Sequence, residues 1–141
     1  MKLEFLILAD FVEAVNGKLY VMGGGWDQSR NPAYPATIRA GIAVGLLVAW
    51  EETNERIPIR LSIVDEDGKS VVPEIGSEVE VGRAPGVRQG IQQRALLAIN
   101  AMFPVPRPAR YEIVATAGSE KQELRVAFEA LLAGGPSLQI G

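Results

Sequence analysis

The chain has 141 residues with 14 basic and 17 acidic side chains, and it contains neither cysteine nor histidine. This length suits one domain with a sizeable core. Without thiols or imidazoles, the chain excludes disulfides, thiolate zinc sites, Ser-His-Asp triads and histidine bases. Any chemistry would have to use carboxylates, lysine, tyrosine or hydroxyl groups.

The charge pattern predicts no nucleic-acid partner and no membrane segment. The net charge is −3, and the arginines are scattered without a basic run, whereas nucleic-acid binders usually carry a basic face. The longest uncharged stretch, 40–50, is shorter than the roughly 20 residues of a membrane helix. Glu4 and Asp10 interrupt the apolar stretch that a signal peptide would need. We therefore expect a cytoplasmic protein.

The first predicted element is a β-hairpin centred on Asn16-Gly17. Apolar segments 3–15 and 18–22 flank this pair, and Asn-Gly is typical of the type I′ turn, which needs positive φ at both central residues. The three glycines at 23–25 end the second strand. The polar, proline-containing segment 30–35 is predicted to be a loop.

A long strand is predicted over 37–50. Its alternate residues are Ile, Ala, Val, Leu and Trp on one face, and small, mostly apolar residues on the other. Such a strand is typically covered on both faces. The cover of the second face could come from the same domain or from a second subunit.

Alternation then predicts a strand at 57–64, where Pro58 indicates a strand start or an edge. The acidic, glycine-containing segment 65–69 predicts a hairpin turn that leads into residues 70–73. A short further strand is predicted at 78–81.

The segment 91–103 fits two structures. Its composition favours a helix by propensity, so a short helix within 88–102 stays open, while its alternation and the all-β context favour a strand. Pro104, Pro106 and Pro108 follow as an extended linker, since proline cannot donate to a strand ladder.

A final hairpin is predicted from strands at 111–116 and 124–130, joined by a turn at 118–121. Tyr111, just inside the first of these strands, is predicted to have a structural role, bonding back to nearby backbone as at a sandwich corner. Residues 132–141 are predicted to be a flexible C-terminal tail.

Together these elements predict an all-β fold. We expect an antiparallel β-sandwich of about 7–8 strands, immunoglobulin-like with Greek-key connections, formed by one domain over residues 1–131.

The candidate ligand-binding residues are Gly24, Gly25, Trp26 and Asp27. Glycines allow backbone to approach a ligand closely, and a tryptophan offers a stacking surface for a sugar or another small molecule. The alternative is a bulge after the hairpin, with Trp26 plugging the end of the sandwich.

The acidic residues predict no metal site and no catalytic pair. The turn at 65–67 offers too few oxygens for calcium, which needs six to eight. Glu51 and Glu52 would point to opposite faces of an extended chain, and Glu78 and Glu80 share an exposed face. We therefore predict no catalytic residue, no metal and no cofactor.

Three segments resemble a family of short, uncharacterised bacterial proteins known as a domain of unknown function. Residues 8–27 follow the pattern LADxxxxxNGKLxxxGGGWD, and the segment 57–69 and the proline-rich turn into 110–112 add to the likeness. Ala109 departs from the "PxxGxY" pattern, where glycine is common. The resemblance covers most of 3–130; it implies a small β-sandwich and carries over no catalytic residue.

From these patterns we expect a non-enzymatic binding or assembly module that works as a homo-oligomer or with a protein partner. The two-sided apolar strand 37–50 motivates this expectation. The alternative is a small-ligand or carbohydrate-binding sandwich that uses the turn at 23–27. A hydrolase would require two carboxylates to converge in one pocket.

Overall fold

A computed structural model describes residues 1–118 and 122–134 of the chain. This part is nearly all β, with one 3₁₀ turn at Trp50–Glu52, and none of its helices is long and apolar enough to cross a membrane. The strands are β1 (Lys2–Ala9), β2 (Phe11–Val15), β3 (Lys18–Met22), β4 (Gln28–Asn31), β5 (Ala36–Val48), β6 (Arg56–Val64), β7 (Ile75–Glu80), β8 (Gln93–Val105), β9 (Ala109–Ala117) and β10 (Gln122–Leu132).

The strands form three sheets. The first sheet has the order β1-β5-β8, and the second sheet has the order β4-β10-β9-β6-β7 and curls into a half-barrel. The N-terminal hairpin, β2-β3, forms the third. One hydrophobic core draws its buried residues from the first and second sheets together, so the core lies between them. The ten described strands exceed the predicted 7–8 because short strands such as β4 carry little apolar pattern.

The predicted Asn-Gly turn is confirmed. Asn16 and Gly17 have φ of 50° and 72°, and β2 pairs with β3 in antiparallel register across them. Both residues therefore take the left-handed conformation that a type I′ turn requires.

The predicted first strand, 3–15, is in fact two strands in two sheets. β1 pairs with β5 up to Ala9 and Gly41, and the chain then bends at Asp10. The Asp10 backbone N–H donates to the carbonyls of Met22 and Gly23, both at 3.1 Å. These bonds anchor the base of the N-terminal hairpin away from the β5 edge.

Both faces of β5 are covered within the chain itself. One face lies in the main core, and the other lies under the N-terminal hairpin and the ring of Phe5. The side-chain amide of Asn100 holds the hairpin, accepting from Val12 N–H at 3.0 Å and donating to Val12 O at 2.8 Å. The second face of β5 thus has an intramolecular cover.

The predicted loop at 30–35 is partly wrong. Gln28–Asn31 is β4, which pairs parallel with residues 129–132 of β10. The second sheet therefore contains one parallel pair among antiparallel ones. This strand is polar and four residues long, so alternation could not reveal it.

A helix within 88–102 is also ruled out. β8 runs through Gln93–Val105 and pairs with β5 along 13 positions, from Val48 to Ala36. The long apolar partner overrides the helical propensity of the segment. Pro104 belongs to this strand rather than to a linker. β8 is an edge strand, and it tolerates a proline because the side without a partner strand needs no N–H donor.

The predicted strand at 57–64 corresponds to β6, with Pro58 as its third residue, before pairing with β9 begins at Ile59. The turn at 65–69 is confirmed, since Asp65 N–H donates to Lys69 O at 2.9 Å. Residues 70–73 contribute a single bridge, between Val64 and Ser70. The further strand is longer than predicted, because β7 begins at Ile75.

The final hairpin is confirmed by the antiparallel register of β9 and β10, from Ala117–Gln122 to Ala109–Ala130. Residues 119–121 of the predicted turn lie outside the described residues. The predicted tail begins too early, because Leu132 still belongs to β10 and Ala133 N–H donates to Asn31 O at 2.8 Å. The rest of that predicted tail, 135–141, also lies outside them.

Candidate functional site

An open cleft of about 600 Å³ lies beside the predicted ligand-binding turn. Four parts of the chain meet there: Asp10 between β1 and β2, the connection between β3 and β4, β4 itself, and the beginning of β5. The lining residues are Asp10, Gly23, Gly24, Gly25, Trp26, Gln28, Ser29, Asn31, Thr37, Ile38 and Arg39.

The glycine run positions the connection close to the end of β1. Gly23 has a φ of 60°, and a side chain there would overlap the carboxylate of Asp10. Gly25 N–H donates to Leu8 O at 2.8 Å. A glycine at 23 therefore lets the backbone turn against Asp10, and the bond from Gly25 fixes the connection alongside β1.

Trp26 both packs against the core and lines the cleft. Its half-buried ring meets Phe128 edge to face, with ring centroids 5.8 Å apart and an interplanar angle of 73°. The indole Nε1 is buried and has no hydrogen-bond partner among the described residues. The side chain that the sequence offered as a plug therefore also forms part of the cleft wall.

Of the four predicted ligand-binding residues, the structure brings Gly24, Gly25 and Trp26 to the cleft. Asp27 is not among the lining residues. Its side chain is exposed, and its carbonyl accepts from Glu129 N–H at 2.8 Å. Asp27 thus serves to start the parallel pairing of β4 with β10.

Sequence reasoning missed most of the polar lining. Asp10 and Arg39 bring opposite charges to the cleft, and Gln28, Ser29, Asn31 and Thr37 bring uncharged polar groups. Asp10 belongs to the LAD pattern, which was a usable signal. The residues of β4 and early β5 had none, because only folding brings them next to the glycine run.

Two hydrogen bonds orient the polar end of β4. Asn31 Nδ2 donates to Ser29 Oγ at 3.2 Å and to the Tyr34 hydroxyl at 3.4 Å. The Tyr34 hydroxyl in turn donates to Leu131 O at 2.7 Å. This chain of contacts ties the cleft wall to the end of β10.

Two acidic side chains of the turn at 65–67 already accept hydrogen bonds from backbone N–H groups. Asp65 Oδ1 accepts from the N–H groups of Asp67 and Lys69, both at 2.9 Å, and Glu66 accepts from Arg110 N–H at 3.0 Å. Within residues 1–118 and 122–134, no three acidic side chains are grouped to hold a metal ion.

The other predicted acids also lie away from the cleft. Glu78 faces Arg56 at 3.9 Å on β7 and β6. Glu52 forms an ion pair with the Met1 ammonium group and accepts from Ala49 N–H at 3.1 Å. Partial burial acts to raise the pKa of Glu52, but the hydrogen bonds from Met1 and Ala49 and the Met1 charge lower it overall.

Comparison with known proteins agrees with the resemblance seen in the sequence. No curated protein matches the chain. A family described as "Family of unknown function (DUF6941)" matches residues 4–128, which include the glycine run, Trp26 and the cleft. The chain therefore belongs to this family of unknown function.

Proposed function

We propose that this protein is a non-enzymatic binding module and that the cleft is its ligand site. The observation that carries this proposal is the cleft itself. Its volume of about 600 Å³ lies within the range of roughly 300–1,000 Å³ that ligand pockets occupy. Trp26 and Ile38 supply apolar contact, and the polar groups around them supply directional contacts.

The charges at the cleft support binding rather than hydrolysis. Asp10 is the single carboxylate among the described lining residues, and Arg39 shares the cleft with it. Glycoside hydrolysis with two carboxylates needs a facing pair. The proposed scaffold is a cytoplasmic β-sandwich of the first and second sheets, supported by the core to which both contribute.

Ligand-observed NMR with a panel of small polar fragments and monosaccharides tests the proposal. The informative variant is Thr37→Trp, because Thr37 is exposed on β5 and a large ring there would fill the cleft. Ser70→Trp, at an exposed position outside the cleft, is the matched control. We expect probes that bind the wild type and Ser70→Trp but lose binding to Thr37→Trp. Probes that bind all three proteins equally would contradict the proposal, as would a cleft that binds neither these probes nor peptides.

A carbohydrate is one ligand class that Trp26 and the amides of Gln28 and Asn31 favour. Aromatic faces and planar amides together suit a ring bearing many hydroxyl groups. In the same panel, monosaccharides should then bind more tightly than charged fragments. A preference for charged fragments would argue against a sugar.

A second candidate function, homo-oligomer assembly, has its own supporting observation. The outer face of the N-terminal hairpin exposes Phe11, Tyr20 and Met22, at 41%, 51% and 60% exposure. The register places these side chains on one face, opposite Val12. An exposed patch with several large apolar side chains suits a two-fold dimer, in which the patch would pack against its own copy.

Sedimentation velocity tests the assembly proposal. We expect a dimer for the wild type and a monomer for Met22→Lys, whose charge would be buried in the interface. Lys2→Glu, a charge change outside the hairpin, should leave the dimer intact. A wild-type monomer at all concentrations would exclude homo-oligomer assembly.

A further inference from the structure

Part of the β5 edge that faces the cleft is not paired with β1. β1 pairs with β5 only as far as Ala9 and Gly41, whereas β8 continues along the other side of β5 to Ala36. Residues 36–40 are therefore paired on the β8 side, and no described strand pairs with their opposite side. The cleft begins where β1 leaves.

A second strand edge, with no described strand paired to it, borders the same cleft. β4 is the outermost strand of the second sheet, paired with β10 on one side. Gln28, Ser29 and Asn31 of β4 and residues 37–39 of β5 all line the cleft. The cleft thus lies between two strand edges, in the position that a longer β1 would occupy.

Unpaired strand edges present N–H and C=O groups in the spacing of another strand's backbone. In an antiparallel strand every second residue directs both its N–H and its C=O to the same side. About two or three of residues 36–40 therefore direct these groups into the cleft. We infer that the cleft accepts an extended polypeptide segment of a partner protein, which adds to β5 over residues 36–40. This inference rests on the proposed function of the cleft and names its ligand class.

Elsewhere, hydrogen bonds from other parts of the chain cover the outer edge of β1. Leu3 N–H donates to the Gln122 side chain at 2.8 Å, and Leu8 O accepts from Gly25 N–H at 2.8 Å. Near the end of β8, Pro104 removes one N–H donor from that strand. The 36–40 edge contains no proline.

The side chains around the cleft define the chemistry of the segment. Ile38 is buried in the core and Trp26 packs against that core, so they form the inner wall. Asp10, Thr37 and Arg39 are exposed and form the outer rim. Because side chains of a strand alternate between two faces, the segment should carry apolar residues facing inward and polar residues facing outward.

A phage-displayed random heptapeptide library provides the probe. It is panned on the full chain after depletion on Thr37→Trp, and the enriched peptide is synthesised with acetyl and amide ends. We expect alternating apolar and polar residues in that peptide. In ¹⁵N-labelled protein, the amides of residues 36–40 and 28–31 should shift on binding, and alternate amides of 36–40 should exchange more slowly.

Backbone N-methylation of the peptide separates strand addition from recognition by side chains alone. Methylation at alternate positions should weaken binding at least about tenfold, because it removes N–H donors directed at β5, while methylation at the intervening positions should change it by less than about twofold. Equal effects at all positions would overturn the inference, as would shifts confined to residues outside the cleft.

Two further outcomes distinguish this inference from the proposed function. If no peptide is enriched but small polar fragments still bind the wild type and not Thr37→Trp, the strand inference fails and the cleft remains a ligand site. If neither peptides nor fragments bind, both fail. Ser29→Trp, which fills the cleft from the β4 side, checks that loss of binding reflects occupancy rather than a folding defect in Thr37→Trp.

Discussion

Tyr111 combines a buried ring with a single polar contact. Its ring stacks on Phe128 with centroids 5.7 Å apart, and its hydroxyl donates to Arg107 O at 2.7 Å. Because Tyr111 follows the proline-rich segment, the sequence predicted that it would bond back to nearby backbone. The hydrogen bond to Arg107, four residues earlier, confirms this prediction.

Replacing Tyr111 by Phe keeps the ring and removes that hydrogen bond. We expect the free energy of unfolding to fall by about 1 kcal/mol, since the Arg107 carbonyl loses its donor. Urea unfolding followed by circular dichroism measures this. Equal stability of Tyr111→Phe and the wild type would show that the Tyr111 bond contributes nothing.

Glu52 gives the stability a pH dependence. Its pKa in the folded protein lies below the ordinary value of 4.5, so between those two values the unfolded state binds more protons and acid favours unfolding. The stabilisation is complete above pH 4.5 and disappears as the pH falls through the folded pKa.

Glu52→Gln should therefore be less stable than the wild type at pH 7, by less than about 1 kcal/mol because the pair is partly exposed. The difference should shrink toward pH 3. Urea unfolding at the two pH values measures it, with Glu51→Gln as the neighbouring control. A difference that is the same at both pH values would contradict this assignment.

At the scale of elements, Gly41 allows the N-terminal hairpin to cross β5. A side chain at Gly41 would come within 2.8 Å of Val12 N and 2.9 Å of Phe11 C, both backbone atoms. The hairpin would have to move away, and the contacts that cover the second face of β5 would loosen.

We expect Gly41→Ala to lower the free energy of unfolding by about 1–3 kcal/mol through overpacking. Gly76→Ala is the matched control, because Gly76 also lies in a strand but has open space around it; it should change stability by less than about 0.5 kcal/mol. Thermal unfolding compares the two. Equal stability would show that the hairpin adjusts freely.

The elements also show why alternation succeeds for some strands and fails for others. β6 buries one face in the core, so its alternation is clear. β5 is buried on both faces, and its sequence alternates large apolar residues with small ones. β1 and β2 were predicted as one strand, and the hydrogen bonds from Asp10 N–H to Met22 and Gly23 at the base of the hairpin separate them. β8 is strand because β5 pairs with it over its whole length.

At the scale of the whole molecule, Phe128 joins the two larger sheets and the cleft. It contacts Trp26 at the cleft, Phe103 of the first sheet at 6.1 Å between centroids, and Tyr111 of the second sheet. Phe128→Ala should lower the free energy of unfolding by about 3–5 kcal/mol. Ile91→Ala, at an exposed position outside the hairpin, should cost far less. A loss below 1 kcal/mol for Phe128→Ala would contradict its central place in the core.

The sequence by itself determined the all-β class, the turns at Asn16-Gly17 and 65–69, the final hairpin and the interest of the Gly23–Trp26 run, because these depend on residues close together in the chain. It also excluded chemistry that needs cysteine or histidine. The cleft depended on tertiary structure. Asp10, β4 and the start of β5 are distant or featureless in the sequence, and they meet only because β1 ends at Ala9 while β5 continues.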